Sequence, residues 1–190
     1  MTKKITYMIT KNLKGFQMGN ELHNINWPWL TDPAIDFLEI YLKPDMRILE
    51  FGCGGSTVWF KEKCKSVISI EHDWYYYREI KARLKDHSGL RILQLPYYGV
   101  MNTFIDNYFD AIIVDGRNRK RCIYHSIPKV KPGGIIMLDN SERPYYHSVY
   151  EHLKDWEKFD CKQIEPNRIG FNYGKYTTTY WIKPNEQIRN

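Results

Sequence analysis

Arg47–Phe60, RILEFGCGGSTVWF, is the stretch on which the reading of this chain turns. An apolar run closes on Glu50, then Gly52, Gly54 and Gly55 follow, and Ser56 opens a segment with helical character. Glycines at such a strand-to-helix turn let the backbone bend and approach a ligand with no Cβ in the way. In a parallel α/β sheet that turn sits at the carboxyl end of a strand, where nucleotides bind. A phosphate-binding P-loop needs a terminal Gly-Lys-Ser/Thr, and no lysine stands here, which argues against ATP or GTP hydrolysis. A dinucleotide loop wants G-x-G-x-x-G; Gly52 and Gly54 match, but Thr57 takes the place of the third glycine. S-adenosylmethionine (SAM), which has no phosphate and a free ribose diol, is the third candidate.

Outward from this stretch, strands and helices alternate. Thr31-Asp32-Pro33 reads as a helix start with a capping side chain and proline in the first turn, and Pro44 ends that helix. Strands are expected at Met46–Glu50, Ser66–Glu71, Arg91–Leu95, Phe109–Val114, Gly134–Leu138 and Thr177–Ile182. Helices are expected at Ser56–Lys65, Trp74–His87, Gly99–Asn107, Asn118–Val130 and Tyr146–Trp156, with Lys131-Pro132-Gly133 as a turn. This order means βαβ units and a mainly parallel sheet in a single α/β domain. Residues 1–30 read as an N-terminal arm or lid, and residues 31–190 as the catalytic domain.

The 190 residues are 43% hydrophobic and 26% charged, ordinary for a soluble globular chain. No apolar run reaches the ~20 residues of a membrane span, so the expectation is a cytoplasmic protein with no membrane partner. Four scattered cysteines lack CxxC or zinc-like spacing and read as free thiols. The net charge of +6 favours anionic partners weakly.

The strand SVISIE ends in Glu71, where a carboxylate can accept both hydroxyl hydrogens of a ribose. That suits NAD as well as SAM. The segments ILEFGCGGST, SVISIEHDWYYY, YFDAIIVDGRNR and VKPGGIIMLDNSER, in this order, resemble the successive motifs of class I SAM-dependent methyltransferases. The resemblance runs from about Pro28 to the end of the chain. It implies a Rossmann-like α/β fold with a seven-stranded, mainly parallel sheet, an antiparallel last strand at TTTYWI, and helices on both faces. Lys162–Glu165 would be the neighbouring strand. Glu50, Gly52, Cys53, Gly54 and Ser56 would flank the methionine part of SAM. Glu71 would hold the ribose, with His72 and Asp73 beside the adenosine, and Asp115 would also contact the cofactor. Cys53 stands where a smaller residue is usual and is not read as a nucleophile.

The fourth and fifth strands end in Asp115-Gly116-Arg117 and Asp139-Asn140-Ser141-Glu142-Arg143. Val-Asp-Gly-Arg is not the Asn/Asp-Pro-Pro-Tyr/Phe motif of base aminomethylation, which argues against that chemistry. Asp115, Asp139 and Asn140 resemble the Mg²⁺ ligands of catechol-type O-methyltransferases, with the surrounding residues only partly matched. Asp115 or Asp139 as a metal-free general base is the open alternative. Arg117 completes the candidate catalytic set, and with Arg119 could grip a phosphate, uronate or sugar hydroxyl. Trp27 and Trp29 read either as lid aromatics or as packing for the first helix, and His147 is the one histidine near the site. The expected activity is methyl transfer to a hydroxyl of a sugar, glycan or other small acceptor. RNA methylation and a non-catalytic SAM-binding subunit are the alternatives; the sequence leaves the oligomeric state open.

Overall fold

The computed structural model describes residues 26–64, 66–84, 89–92, 97–164, 166–168 and 175–185. Most of the expected N-terminal arm, and the expected strand residues 93–95, lie outside them. The described residues form a seven-stranded sheet of β1 (Arg47–Phe51), β2 (Ser66–Glu71), β3 (Leu90–Ile92), β4 (Phe109–Val114), β5 (Val130–Leu138), β6 (Glu157–Gln163) and β7 (Tyr176–Ile182). The spatial order is β3-β2-β1-β4-β5-β7-β6, with β7 antiparallel to both of its neighbours. The helices are α1 (Asp32–Tyr41), α2 (Gly55–Lys63), α3 (Trp74–Arg83), α4 (Arg119–Ser126) and α5 (His147–His152), with 3₁₀ turns at Tyr97–Thr103 and Pro144–Tyr146.

The central strands are apolar because both faces are covered. Successive side chains alternate between two cores. Ile48, Ala111, Ile113, Ile135 and Met137 pack with Ala34, Ile35 and Leu38 of α1 and with Trp59 and Phe60 of α2. Leu49, Phe51, Ile112, Val114, Ile136 and Leu138 pack with Tyr97, Cys122 and Ile123 of α4, and Val149 of α5. Truncating one such fully buried side chain, Ile112→Ala for instance, costs about 2–5 kcal/mol. On the first face Phe159, Tyr180, Phe37 and Tyr41 form a continuous aromatic stack, with centroids 4.9, 3.9 and 5.3 Å apart.

Several element ends differ from expectation for local reasons. Thr31 occupies the cap position of α1, but its hydroxyl makes no cap; its N–H instead donates to Thr178 Oγ1 at 3.2 Å. Lys131-Pro132-Gly133 is a bulge inside β5, not a turn before it. Gly133 has φ +74°, and its N–H donates to Lys183 O while Lys183 N–H returns to Gly134 O, both at 2.8 Å. These bonds keep the segment attached to the strand. The helix expected to reach Trp156 ends at His152, because Leu153 leaves helical geometry and turns into the core. That frees Glu157–Gln163 to form β6, longer than the neighbouring strand expected at 162–165.

In this strand order the chain leaves β1 toward β2 on one side and returns to β4 on the other. The crevice at their carboxyl ends is the switch point where α/β sheets bind ligands.

Candidate functional site

The floor of the crevice is backbone against backbone. Gly52 has φ +98°, and a Cβ there would lie 2.9 Å from the Gly116 nitrogen; its N–H donates to Ile70 O at 2.8 Å. A Cβ on Gly116 would meet the hydroxyl of the buried Tyr97 at 1.7 Å. That hydroxyl accepts the Arg117 N–H at 3.2 Å. The loops after β1 and β4 are therefore pressed together on Tyr97, a residue that no sequence signal singled out.

Glu50 lies beneath the glycine loop and not on the crevice wall. It is 1% exposed and accepts hydrogen bonds from the Ser56 hydroxyl, from Thr57 Oγ1 at 2.6 Å and from Ser69 Oγ at 2.7 Å. Burial pushes its carboxyl up to about 7 against the three hydroxyl donors, which favour the ionised form, and nearby Asp115 adds to the rise. The Thr57 hydroxyl also accepts the Gly54 N–H at 3.0 Å. The residue that breaks the dinucleotide pattern thus ties the loop to Glu50.

Glu71 is buried at the end of β2 and shapes the same loop. Its Oε2 accepts the Cys53 N–H at 2.9 Å, and its Oε1 accepts the N–H groups of His72 and Asp73 at 2.7 Å each. Asp73 caps α3 through the N–H groups of Tyr75 and Tyr76. Burial, with Glu71 and Glu50 close by, pushes the Cys53 thiol far up, which suits a packing role rather than a nucleophile. All four cysteines are free.

Above this floor opens a cavity of about 880 Å³, walled by Gly52–Ser56, Glu71–Asp73, Tyr76, Ile80 and Asp115–Arg119. A second cavity of about 410 Å³ adjoins it, walled by Asp139, Asn140, Glu142, Asn167, Lys175 and Tyr176. Trp29, Asp115, Arg119 and Arg143 line both. Trp27 instead packs edge-on against Trp59 at 6.5 Å, as the packing alternative expects.

Arg119 organises the junction between the cavities. Its Nε donates to Gly116 O at 2.9 Å, Nη2 to Asp115 O at 2.6 Å and Nη1 to Asp139 O at 2.5 Å. The same guanidinium lies 2.8 Å from Asp115 Oδ1 and 3.9 Å from Asp139 Oδ2. Thr178 Oγ1 donates to Asp139 Oδ1 at 2.7 Å. Burial holds both carboxyls above the usual range; for Asp139 the neighbouring Asp115 adds to the rise, and Arg119 opposes it for both. The Arg119 guanidinium thus bridges the two carboxyl groups.

The Mg²⁺ set expected from Asp115, Asp139 and Asn140 does not fit this arrangement. A guanidinium already stands between the carboxylates, and Asn140 Oδ1 accepts Arg143 Nη2 at 2.9 Å and Arg119 Nη1 at 3.4 Å. Among the described residues no group of three His, Cys, Asp or Glu could hold a metal ion. Arg117 is exposed on the lining of the larger cavity, and His147 stacks on Tyr150 away from both cavities. The i,i+4 spacing of Asp115 and Arg119 was a signal for their pairing; Asn167, Lys175 and Tyr176 carried none. No described helix is long and apolar enough to cross a membrane.

No protein-family model matches the chain, and a search of curated proteins found no relative. Solved structures do match. A methyltransferase-like protein from Silicibacter pomeroyi is 21% identical with a TM-score of 0.59, covering 84% of this chain and 89% of that one. The tRNA (m1A58) methyltransferase TrmI from Aquifex aeolicus is 15% identical with a TM-score of 0.60, covering 89% and 72%. A methyltransferase from Pyrococcus furiosus is 17% identical with a TM-score of 0.55, covering 96% and 98%. Identities this low speak for architecture, and in architecture the chain has the Rossmann-like fold of the class I SAM-dependent methyltransferases.

Proposed function

We propose that the chain is a SAM-dependent methyltransferase acting on a hydroxyl oxygen of a small acceptor, with a sugar hydroxyl as the best single candidate. The observation that carries this reading is the Asp115–Arg119–Asp139 cluster at the junction of two adjoining cavities. The larger cavity fits SAM. The position of a Cβ on Gly54 faces open space, and Glu71 presents its carboxylate on the wall between the glycine loop and α3. In this reading Glu71 takes the ribose hydroxyls with His72 beside the adenosine. Gly52, Cys53, Gly54 and Ser56 take the methionine end, while Glu50 holds the loop from below. When bound, SAM supplies an electrophilic methyl group.

The protein's own work is positioning and proton removal. Asp139 has a carboxyl raised by burial, so its ionised form is a stronger base than an exposed aspartate. It is the group to accept the proton of the acceptor hydroxyl. Arg119 favours the ionised form of both carboxyls and fixes the loops after β4 and β5, and Asn140 orients Arg143 at the mouth. Trp29 supplies a flat wall on which a ring can lie.

RNA methylation is the second reading, favoured by the net charge of +6 and by the likeness to a tRNA methyltransferase. The test is incubation with methyl-labelled SAM and separate pools of sugars, phenols and RNA, beside thermal melts with S-adenosylhomocysteine (SAH) and NAD. Expected are a rise in Tm with SAH but not NAD, label in a small-molecule pool, and its loss in Asp139→Asn with the SAH shift retained. Binding of SAH without label in any pool would leave a non-catalytic subunit. No shift with SAH would remove the cofactor reading altogether.

A further inference from the structure

The second cavity says more about its occupant than its size does. Arg119 is held by Asp115 and Asp139, so its charge is already answered within that cluster. Glu142 accepts the Thr177 N–H at 2.9 Å, and its other oxygen lies 4.0 Å from Arg143 Nε, at the outer limit of an ion pair. Arg143 is instead held by a neutral group, donating through Nη2 to Asn140 Oδ1 at 2.9 Å. Its side chain is 56% exposed and lines both cavities. Lys175, directly before β7 and on the lining of the same cavity, is exposed and makes no ion pair among the described residues. The wall therefore presents two exposed cations, Arg143 and Lys175, neither of them held in a close ion pair among the described residues. A guanidinium aimed by an amide leaves its remaining donors for a ligand, and a planar fork of this kind matches carboxylate and phosphate oxygens.

Resting on the methyl-transfer reading above, we infer that the acceptor is a small anionic molecule whose carboxylate or phosphate is held by Arg143 and Lys175. Its reacting hydroxyl then faces Asp139, which lies on the same wall. A neutral sugar would leave the Lys175 charge without a counterpart. A cavity of about 410 Å³ suits a single ring with one charged substituent better than a polymer segment. Trp29 and Tyr176 add aromatic surface to the same wall.

The experiment offers the protein methyl-labelled SAM with four acceptor pools: uronates and hydroxybenzoates, sugar phosphates, their neutral counterparts, and RNA. Label is expected in the carboxylate or the phosphate pool, and which of the two takes it identifies the anion. With the labelled compound, Arg143→Gln and Lys175→Gln should each raise KM about tenfold or more and change kcat less. The SAH-induced rise in Tm should persist in Lys175→Gln. Label in the neutral pool, in RNA or in no pool overturns the inference, as does an unchanged KM in both variants. If SAH binding persists in those cases, only the anionic acceptor is lost. If wild-type protein shows no SAH shift, the methyl-transfer reading fails and takes this inference with it.

Discussion

Glu50→Gln tests how the glycine loop is held. In the folded chain the Glu50 carboxyl is raised from its ordinary 4.5 to about 7, because burial outweighs three hydroxyl donors. The folded state then binds this proton more tightly than the unfolded state. Stability from this group is fully present below pH 4.5 and is lost as pH rises to 7, above which the loss is constant. A shift of this size at ~1.4 kcal/mol per unit corresponds to about 3 kcal/mol. Glutamine cannot ionise, so the variant loses this part of the pH dependence. Its amide meets Ser56, Thr57 and Ser69 differently, but that offset is the same at every pH. Urea unfolding of both proteins from pH 4.5 to 8 gives the difference directly. The stability of the variant relative to wild type should climb by about 3 kcal/mol across that range. A flat difference would refute the reasoning: the hydroxyls of Ser56, Thr57 and Ser69 would then be strong enough to keep Glu50 ionised when buried.

Four further outcomes are expected. Gly116→Ala places a methyl 1.7 Å from the Tyr97 hydroxyl, and overpacking of about 1–3 kcal/mol should lower Tm by roughly 2–12 °C in calorimetry. Arg119→Met leaves Asp115 and Asp139 facing each other unbalanced, at a cost of about 3 kcal/mol at pH 8. Urea unfolding should show a smaller loss at pH 5, below the raised titration of Asp139; an equal loss at both would contradict it. Trp27→Ala should lower stability by about 2 kcal/mol, whereas Trp29→Ala should leave Tm nearly unchanged and reduce kcat/KM for the acceptor. Millimolar EDTA should leave methyl transfer intact, and abolition restored by Mg²⁺ would reinstate the metal.

The parts of this molecule written locally could be read from the sequence. Strand and helix alternation, the glycine turn and the acid closing SVISIE each depend on neighbours within a few residues, and each stands where expected. What failed depended on distant partners. Lys131-Pro132-Gly133 looked like a turn until Lys183, some 50 residues away in sequence, was seen to hold it in β5. Asp115, Asp139 and Asn140 looked like metal ligands because nothing in their spacing reveals that Arg119 reaches back over all three. Trp27 and Trp29 are separated by one proline, yet one packs on Trp59 and the other faces the cavities. Lys175 and Tyr176 reach the second cavity only because β7 runs antiparallel beside β5.

The contact between Gly52 and Gly116 has a consequence for how this protein can change. Because the floor of the crevice has no side chains to exchange, mutation has almost nothing to work with there: any Cβ at either position collides with backbone or with Tyr97. The mouth is different, since Trp29, Arg143 and Lys175 are partly or largely exposed and belong to three separate segments. Selection, or a designer, can therefore rewrite the choice of acceptor one residue at a time while the cofactor seat stays fixed.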